Sequence, residues 1–290
     1  MLNKHKHLGV FYALLAAVCN STIGIANEFG FSGARYDTIA LYKTLVGLVV
    51  CLVVCLILKI NIRISRKRLG SAAILSFFGI FLLYFFETLA FSVAPVSLVS
   101  FSIYASGVIS ILLGVFFLKE SLNLRKILSF SLVFFGIFLI SNAEYAFNIG
   151  LICAVVAGSG YSIYLFLIKV LNEEVGFDFL VLLFIFGSMY LAVPYLFNGV
   201  EVPSSDAWPG ILWLAVVPTI FGFYFTNKAL SSAEVGLVQV VETSDPMFAS
   251  MFAFLFFGQV ISVQGYFGCF AIFVSLIILA LPNNKKGAMG

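Results

Sequence analysis

Ala90-Phe91-Ser92-Val93-Ala94-Pro95-Val96-Ser97-Leu98-Val99 returns, 139 residues later and without a gap, as Ala229-Leu230-Ser231-Ser232-Ala233-Glu234-Val235-Gly236-Leu237-Val238, with six of the ten pairs identical. The same register sets Phe117-Leu118-Lys119-Glu120 over Phe256-Phe257-Gly258-Gln259. A shift of 141 lays Ala13, Ala17 and Ser21 over Ala154, Gly158 and Ser162. Those are two stripes of small residues at i, i+4, i+8 spacing, which let helix backbones approach closely in lipid. Two matches at nearly one offset describe a chain built twice.

What is repeated is apolar. Hydrophobic residues make up 62% of the 290, charged residues 10%, and the mean hydropathy is +1.13. A soluble domain is nearer half apolar and a quarter charged, so this chain has too few polar residues to cover a water-facing surface. Its apolar content matches nine or ten spans of roughly 20 residues each. Ten stretches separate, at about 8–26, 38–58, 72–93, 97–118, 126–142, 149–169, 178–197, 209–227, 235–257 and 263–282. Pro95 marks the turn between the third and fourth, because proline cannot continue the hydrogen-bond ladder. The first stretch resembles a signal peptide, but it runs on past Cys19 and reads as an uncleaved helix.

Five spans lie between equivalent positions, and five is odd, so the second half crosses the membrane in the opposite sense to the first. The expected fold is therefore all-α, with ten transmembrane helices in two inverted five-helix repeats, residues 1–143 and 148–285, followed by a tail at 286–290. Inverted repeats are a transporter architecture in which the halves meet near the midplane and rock around the substrate.

Basic residues are retained on the cytoplasmic side. With both termini inside, that side carries Lys4, Lys6, Lys59, Arg63, Arg66, Lys67, Arg68, Lys119, Arg125, Lys126, Lys169, Lys228, Lys285 and Lys286, against Arg35 alone outside. The five cysteines all fall within spans and read as small packing residues, and the one glycosylation sequon, at Asn20, lies within a span as well. A bacterial inner membrane is the expected location, with lipid and a small-molecule substrate as partners and no nucleic acid. A net charge of +3, scattered through an apolar chain, is no nucleic-acid footprint.

The repeat, the span count and the sequence Phe116-Phe117-Leu118-Lys119-Glu120-Ser121-Leu122 resemble the EamA family of the drug/metabolite transporter superfamily. In that family the fourth helix ends in a phenylalanine/leucine-glycine-glutamate sequence and leads into a glycine-bearing fifth; Glu120, Arg125 and Gly136 fit that pattern. The second copy has Gln259 where glutamate is usual. Of the prolines common midway along the fourth and ninth helices, Pro246 is present and Gly107 replaces the other; Lys43 stands where an arginine is frequent. The resemblance implies a ten-helix secondary carrier for small metabolites, often an exporter.

Charged groups within spans are costly and so mark functional sites. Lys43 and Glu87 fall at similar depth in the outer part of the membrane and can pair, as a structural ion pair or as a substrate contact. Glu242 and Asp245 are three residues apart on the ninth span, on one expected helix face, and Asp245 stands at half-depth directly before Pro246, the expected helix break. Acids beside a break at half-depth suit a substrate amine or a coupling proton; a hydrogen-bonded helix contact is the plainer alternative. Tyr104 and Ser100 of the fourth span complete the expected cavity face, and Asn20, Ser21, Thr22, Tyr161, Ser162 and Tyr164 interrupt the first and sixth spans. Trp208 and Trp213 read as interface anchors, and Glu28 and Asp37 as exposed residues of the first outer loop.

No catalytic set, metal cluster or cofactor motif emerges: the histidines are His5 and His7, and no Walker sequence is present. The function read from the chain is secondary transport of an amino acid or similar amine-bearing metabolite, with export as the direction. A cationic or nucleoside-type substrate such as S-adenosylmethionine is the alternative, and a channel or scaffold is the competing class. Reporter fusions test the topology: a C-terminal fluorescent protein should light up and a C-terminal alkaline phosphatase should be silent, whereas phosphatase activity would place that terminus outside.

Overall fold

The computed structural model describes residues 2–94, 96–121, 123–141, 149–257 and 262–280, and every regular element among them is helical. The first half comprises α1 (Leu2–Asn20), α2 (Ile23–Phe31), α3 (Tyr36–Ile57), α4 (Arg66–Ser76), a π-helical segment (Phe77–Phe85), α5 (Phe86–Val93), α6 (Val96–Ala105), α7 (Val108–Leu118) and α8 (Leu124–Ser141). The second comprises α9 (Ile149–Leu171), α10 (Phe177–Phe197), α11 (Trp208–Leu214), a second π-helical segment (Ala215–Gly222), α12 (Phe223–Ser232), α13 (Val235–Glu242), α14 (Asp245–Phe257) and α15 (Val263–Ala280). Pro95 and residues 142–148, 258–261 and 281–290 lie outside the described residues, and with them the turn, repeat boundary and tail expected there.

Among the described residues, six segments are long and apolar enough to cross a membrane: His7–Phe31, Tyr36–Ile57, Arg66–Val93, Ile149–Leu171, Phe177–Phe197 and Ser205–Ser232. They coincide with the first, second, third, sixth, seventh and eighth of the ten stretches read from the sequence. The fourth and ninth stretches are each divided: α6 gives way to α7 at Ser106-Gly107, and α13 to α14 at Thr243-Ser244. The distribution of polarity is the reverse of a soluble protein's. Phe197, Leu56 and Phe116 are more than 70% exposed, while Lys43, Asp37, Thr44, Thr88, Glu242 and Asp245 are buried. Water would not tolerate so much exposed apolar surface; acyl chains do. This is a multi-pass membrane protein.

Packing respects the sequence repeat. The first span packs on the eighth (α1 on α12) and its counterpart, the sixth, on the third (α9 on α5). The second and seventh spans pair as α3 and α10, and α8 lies along α15. Each contact thus maps onto another, or onto itself, when the halves are exchanged.

Small residues permit these approaches. A side chain on Gly158 would run into the carbonyl of Ile103 and would meet Ser106 Cβ at 2.8 Å, and Ser162 Oγ one turn on donates to the Ser106 carbonyl at 3.0 Å. That carbonyl lies at the α6–α7 break, and Ser162 supplies it with a partner inside the protein. Overpacking such a contact costs about 1–3 kcal/mol. Gly158→Leu should lower the melting temperature of the detergent-purified protein by several degrees, whereas Gly70→Ala, which meets open space within α4, should leave it unchanged or raise it slightly. Equal behaviour of the two variants would contradict the packing.

Candidate functional site

A cavity of about 50 Å³, with room for a few waters, lies where the broken fourth span meets the two π-helical segments, α1 and α9. Its polar lining is Asn20, Lys43, Tyr84, Glu87, Tyr104, Tyr161 and Thr219. Tyr84 comes from the first π segment and Thr219 from the second, beside Pro218, which has no amide hydrogen to donate. π-Helical turns shift the side chains that follow them and recur at functional sites; here they occupy equivalent places in both halves. The sequence reading missed them, although Pro218 is the one signal it offered.

Lys43 and Glu87 meet, with Nζ 3.7 Å from Glu87 Oε2, and both side chains are buried. The ammonium also lies 4.1 Å from the centroid of the Tyr84 ring, in cation–π range, and donates to Thr88 Oγ1 at 3.4 Å. At 3.7 Å the ion pair is no hydrogen bond. Among the described residues, Glu87 Oε2 and the Tyr84 hydroxyl have no hydrogen-bond partner, although both are buried and both side chains line the cavity. Polar atoms in that position ordinarily find partners, so this wall of the cavity has hydrogen-bonding capacity to spare.

Glu242 and Asp245 are placed differently from the sequence expectation. Helix α13 ends at Glu242 and α14 begins at Asp245, so the two acids flank the break instead of sharing one continuous helix face. The break precedes Pro246, which sits in the first turn of α14, where its missing amide hydrogen costs nothing. Nor do the carboxyls line the cavity directly. Tyr161 stands between: its hydroxyl donates to Glu242 Oε2 at 2.7 Å, and Thr226 Oγ1 donates to Oε1 at 2.5 Å. Tyr104 stands similarly before Asp245 and interacts with its carboxyl. Two cavity tyrosines therefore connect the cavity with two buried acids. Ser100 is half-buried and away from the cavity lining.

Other expectations need correcting. Asp37 is fully buried instead of exposed: Arg35 Nε donates to its Oδ1 at 3.2 Å and Asn198 Nδ2 to its Oδ2 at 3.0 Å, tying the start of α3 to the end of α10. Trp208 packs edge-on against Tyr42 in a small core, while Trp213 is half exposed and donates to Thr22 Oγ1 at 3.0 Å. Asn20 and Tyr161, equivalent at the 141-residue shift, both reach the cavity. So does Glu87, the counterpart of Thr226 at 139. Reading the repeat for polar pairs would have found those three, but not Lys43, Tyr84 or Thr219, whose counterparts at the 139-residue shift are Leu182, Phe223 and Ile80.

A second, larger cavity of about 900 Å³ opens at the basic end of the bundle, among Arg63, Arg68, Lys169, Asn227 and Lys228. Arg68 there holds Asp178 at 2.8 Å and Glu173 at 3.6 Å. One layer of side chains divides the two cavities. Tyr164 hydrogen-bonds the Asn227 amide of the larger one at 3.0 Å, and its ring packs on Tyr161 and Phe223 of the central one, at 6.2 and 5.2 Å between centroids.

The chain matches the EamA-like transporter family over residues 7–142 and again over residues 148–281. It belongs to that family. The EamA-like repeat occurs once in each half, on either side of residues 143–147. Two curated relatives, each described as an uncharacterized transporter of Helicobacter pylori, strains J99 and 26695, are 24% and 23% identical to this EamA-like chain over 96% of both sequences. A solved crystal structure superimposes with a TM-score of 0.78 at 18% identity, covering 96% of this chain and 98% of the other; the likeness is one of fold.

Breaking a buried ion pair by removing one partner costs about 3–5 kcal/mol, because the other charge is left alone; removing both costs far less. Lys43→Met should therefore depress folded yield and melting temperature sharply, and adding Glu87→Gln should restore much of both. Additive losses, read by fluorescence-detected size exclusion with a temperature ramp, would show that the two residues do not act as a pair.

Proposed function

We propose that this EamA-like transporter is a ten-helix secondary carrier of a bacterial inner membrane. Its basic end faces the cytoplasm, and its halves, 1–143 and 148–285, are inverted. It works by alternating access and exports an amino acid or similar amine-bearing metabolite. The observation that carries the substrate class is the balance of charge at the centre among the described residues: three carboxyl groups, Glu87, Glu242 and Asp245, stand against the ammonium of Lys43, and Glu87, which lines the cavity, has an oxygen, Oε2, that makes no hydrogen bond there. A substrate ammonium would find in Glu87 an acceptor and in Tyr84 an aromatic face, both now shared with Lys43. The carboxylate of an amino acid would turn toward Lys43. Glu242 and Asp245, behind Tyr161 and Tyr104, suit the coupling proton or the electrostatic support of the bound cation.

The division into two cavities supports alternating access over a channel, because the Tyr161–Tyr164–Phe223 ring contacts stand between them. A cavity of about 50 Å³ is too small for a whole amino acid, so binding requires the halves to move apart at one end. The same acid excess would suit a sulfonium nucleoside such as S-adenosylmethionine, and the wider opening that larger molecule needs separates the two.

Proteoliposomes preloaded with unlabelled compound test the reading. Labelled amino acids, amines and S-adenosylmethionine should be compared for counterflow, which a carrier shows and a channel does not. Glu87→Gln should raise the KM for the transported amine at least tenfold, the scale of a lost hydrogen bond to a charged group. Asp245→Asn and Glu242→Gln should abolish transport or its dependence on a pH gradient while leaving a folded, membrane-inserted protein. Wild-type flux and pH response in both would reduce these acids to helix contacts, and non-saturating flux would favour a channel.

A further inference from the structure

Two aspartates that open equivalent helices are each held by an arginine, at opposite ends of the bundle. Asp37, in the first turn of α3, and Asp178, in the first turn of α10, coincide at the 141-residue shift. At the outer end, Arg35 Nε donates to Asp37 Oδ1 at 3.2 Å. The same guanidinium donates from Nη1 to the Asn198 carbonyl at 3.0 Å and from Nη2 to the Gly199 carbonyl at 2.6 Å, just past the end of α10. Asn198 Nδ2 donates in turn to Asp37 Oδ2 at 3.0 Å, and Glu201 Oε2 accepts from the Arg35 amide at 2.9 Å. At the basic end, Arg68, beyond the end of α3, donates from Nη1 to Asp178 Oδ2 at 2.8 Å and to the Arg63 carbonyl at 3.2 Å. Its Nε lies 3.6 Å from Glu173 Oε2, and its Cζ 5.0 Å from the centroid of the Phe179 ring. Each clasp thus joins the start of one of these two helices to the chain that follows the other. Between the clasps the helices touch directly: Tyr42 and Tyr195 meet edge-on at 6.3 Å between centroids, and a β-carbon on Gly47 would meet the Phe184 ring at 3.4 Å.

A gate in a carrier is made in one state and broken in the other, and in an inverted repeat the two ends take turns. These clasps do not take turns. Both are made in one conformation, and the basic-end clasp is made in the wall of the open cavity of about 900 Å³, which Arg68, Glu173 and Asp178 help to line. Exchanging the conformations of the halves turns each clasp into the other, so both are made again in the opposite state. The contact of α3 with α10 likewise maps onto itself, whereas α1 on α12 becomes α9 on α5. Only contacts of the second kind need differ between states. Burial points the same way. Asp37 is fully buried and the Glu173 side chain nearly so, and parting a clasp at every turnover would strand buried carboxylates without their cation.

Resting on the alternating-access reading, we infer that α3 and α10 are the axis of the carrier, pinned at both ends in every state of its cycle by the Arg35–Asp37 and Arg68–Asp178 clasps. The halves part around this pair, not along it. Opening and closing fall to the other spans, beginning with α9 and α12, whose ends line the basic-end cavity.

Covalent locks test the axis. All five cysteines are free, so they can be replaced by serine or alanine to give a background for cysteine pairs. Ser32→Cys with Val200→Cys spans the outer clasp, and Ile64→Cys with Glu174→Cys spans the basic-end clasp; all four positions are exposed. Ile64→Cys with Ser231→Cys crosses the basic-end cavity, which Arg63 and Ser231 line. Each pair is joined by the shortest bis-methanethiosulfonate that reacts, and reductant releases it. In proteoliposomes, counterflow of amino acids, amines and S-adenosylmethionine should stay within about twofold when both clasps are locked, because a contact common to two states shifts no equilibrium between them. The cavity lock should abolish counterflow until reductant is added. Loss of flux on locking either clasp, restored by reductant, would make that clasp a gate and overturn the axis. Flux unaffected by all three locks would overturn alternating access, and the axis with it. Spin labels at the same pairs, in lipid nanodiscs, test the axis even where no compound is exchanged, an outcome that removes the proposed substrates alone. Both clasp distances should be single and the same in acidic and alkaline buffer, while the cavity distance is broad or doubled. A clasp distribution as broad as the cavity's refutes the axis, and three narrow, unchanging distances refute the carrier reading and the axis together.

Discussion

Acyl chains offer no hydrogen bonds, so every polar group that enters the membrane must find its partner inside the protein. That constraint runs through the whole arrangement. It turns the surface over to phenylalanine, leucine and valine, and it gathers Lys43, Glu87, Glu242, Asp245, Asn227 and Gln239 in the interior. It also decides where a helix can break. The interruption at Ser106-Gly107 is met by Ser162 of α9 and by Gln239 of α13, and the one at Thr243-Ser244 by hydroxyls that bond back to the carbonyls of Gln239 and Val241. A broken span survives in lipid only against such neighbours, which is why both breaks lie in the protein interior.

Placing the breaks at the centre has a chemical consequence. Each break ends one half-helix and begins another at mid-span, and α13 closes with Glu242 while α14 opens with Asp245. The carboxyls are screened from the central cavity by Tyr161 and Tyr104, so the cavity meets hydroxyls first and charge only behind them. The opposite wall is direct: Lys43, Tyr84 and Glu87 line the cavity themselves, and among the described residues Glu87 Oε2 and the Tyr84 hydroxyl make no hydrogen bond. The two halves are alike in fold and unlike in chemistry, an asymmetry that repetition permits because each copy can vary its polar residues once the packing positions are kept.

How far the sequence could be read follows from what kind of information each feature carries. The repeat, the apolar content and the small-residue stripes are local patterns, and they led to a duplicated helical membrane protein of the family to which the chain belongs. Depth along a span is nearly local as well, since each helical residue advances about 1.5 Å; it sufficed to bring Lys43 and Glu87 together. The face of the ninth span was misjudged because a helix of constant pitch was assumed across Glu242–Asp245, where the chain turns. Asp37 was misjudged because its partners, Asn198 foremost, come from the other half of the chain.

The amino-acid sequence by itself thus determined the solvent of this protein, its twofold plan and the identity of its buried charges, because hydropathy and repetition are properties of neighbouring residues. Only the tertiary structure decided that tyrosines stand before the acids, that π-helical turns in both halves frame the cavity, and that Glu120 reaches the amides of Val235 and Gly236. Those outcomes depend on which helix lies beside which, and a residue's partner more than a hundred positions away is set by packing, not by its neighbours in the chain.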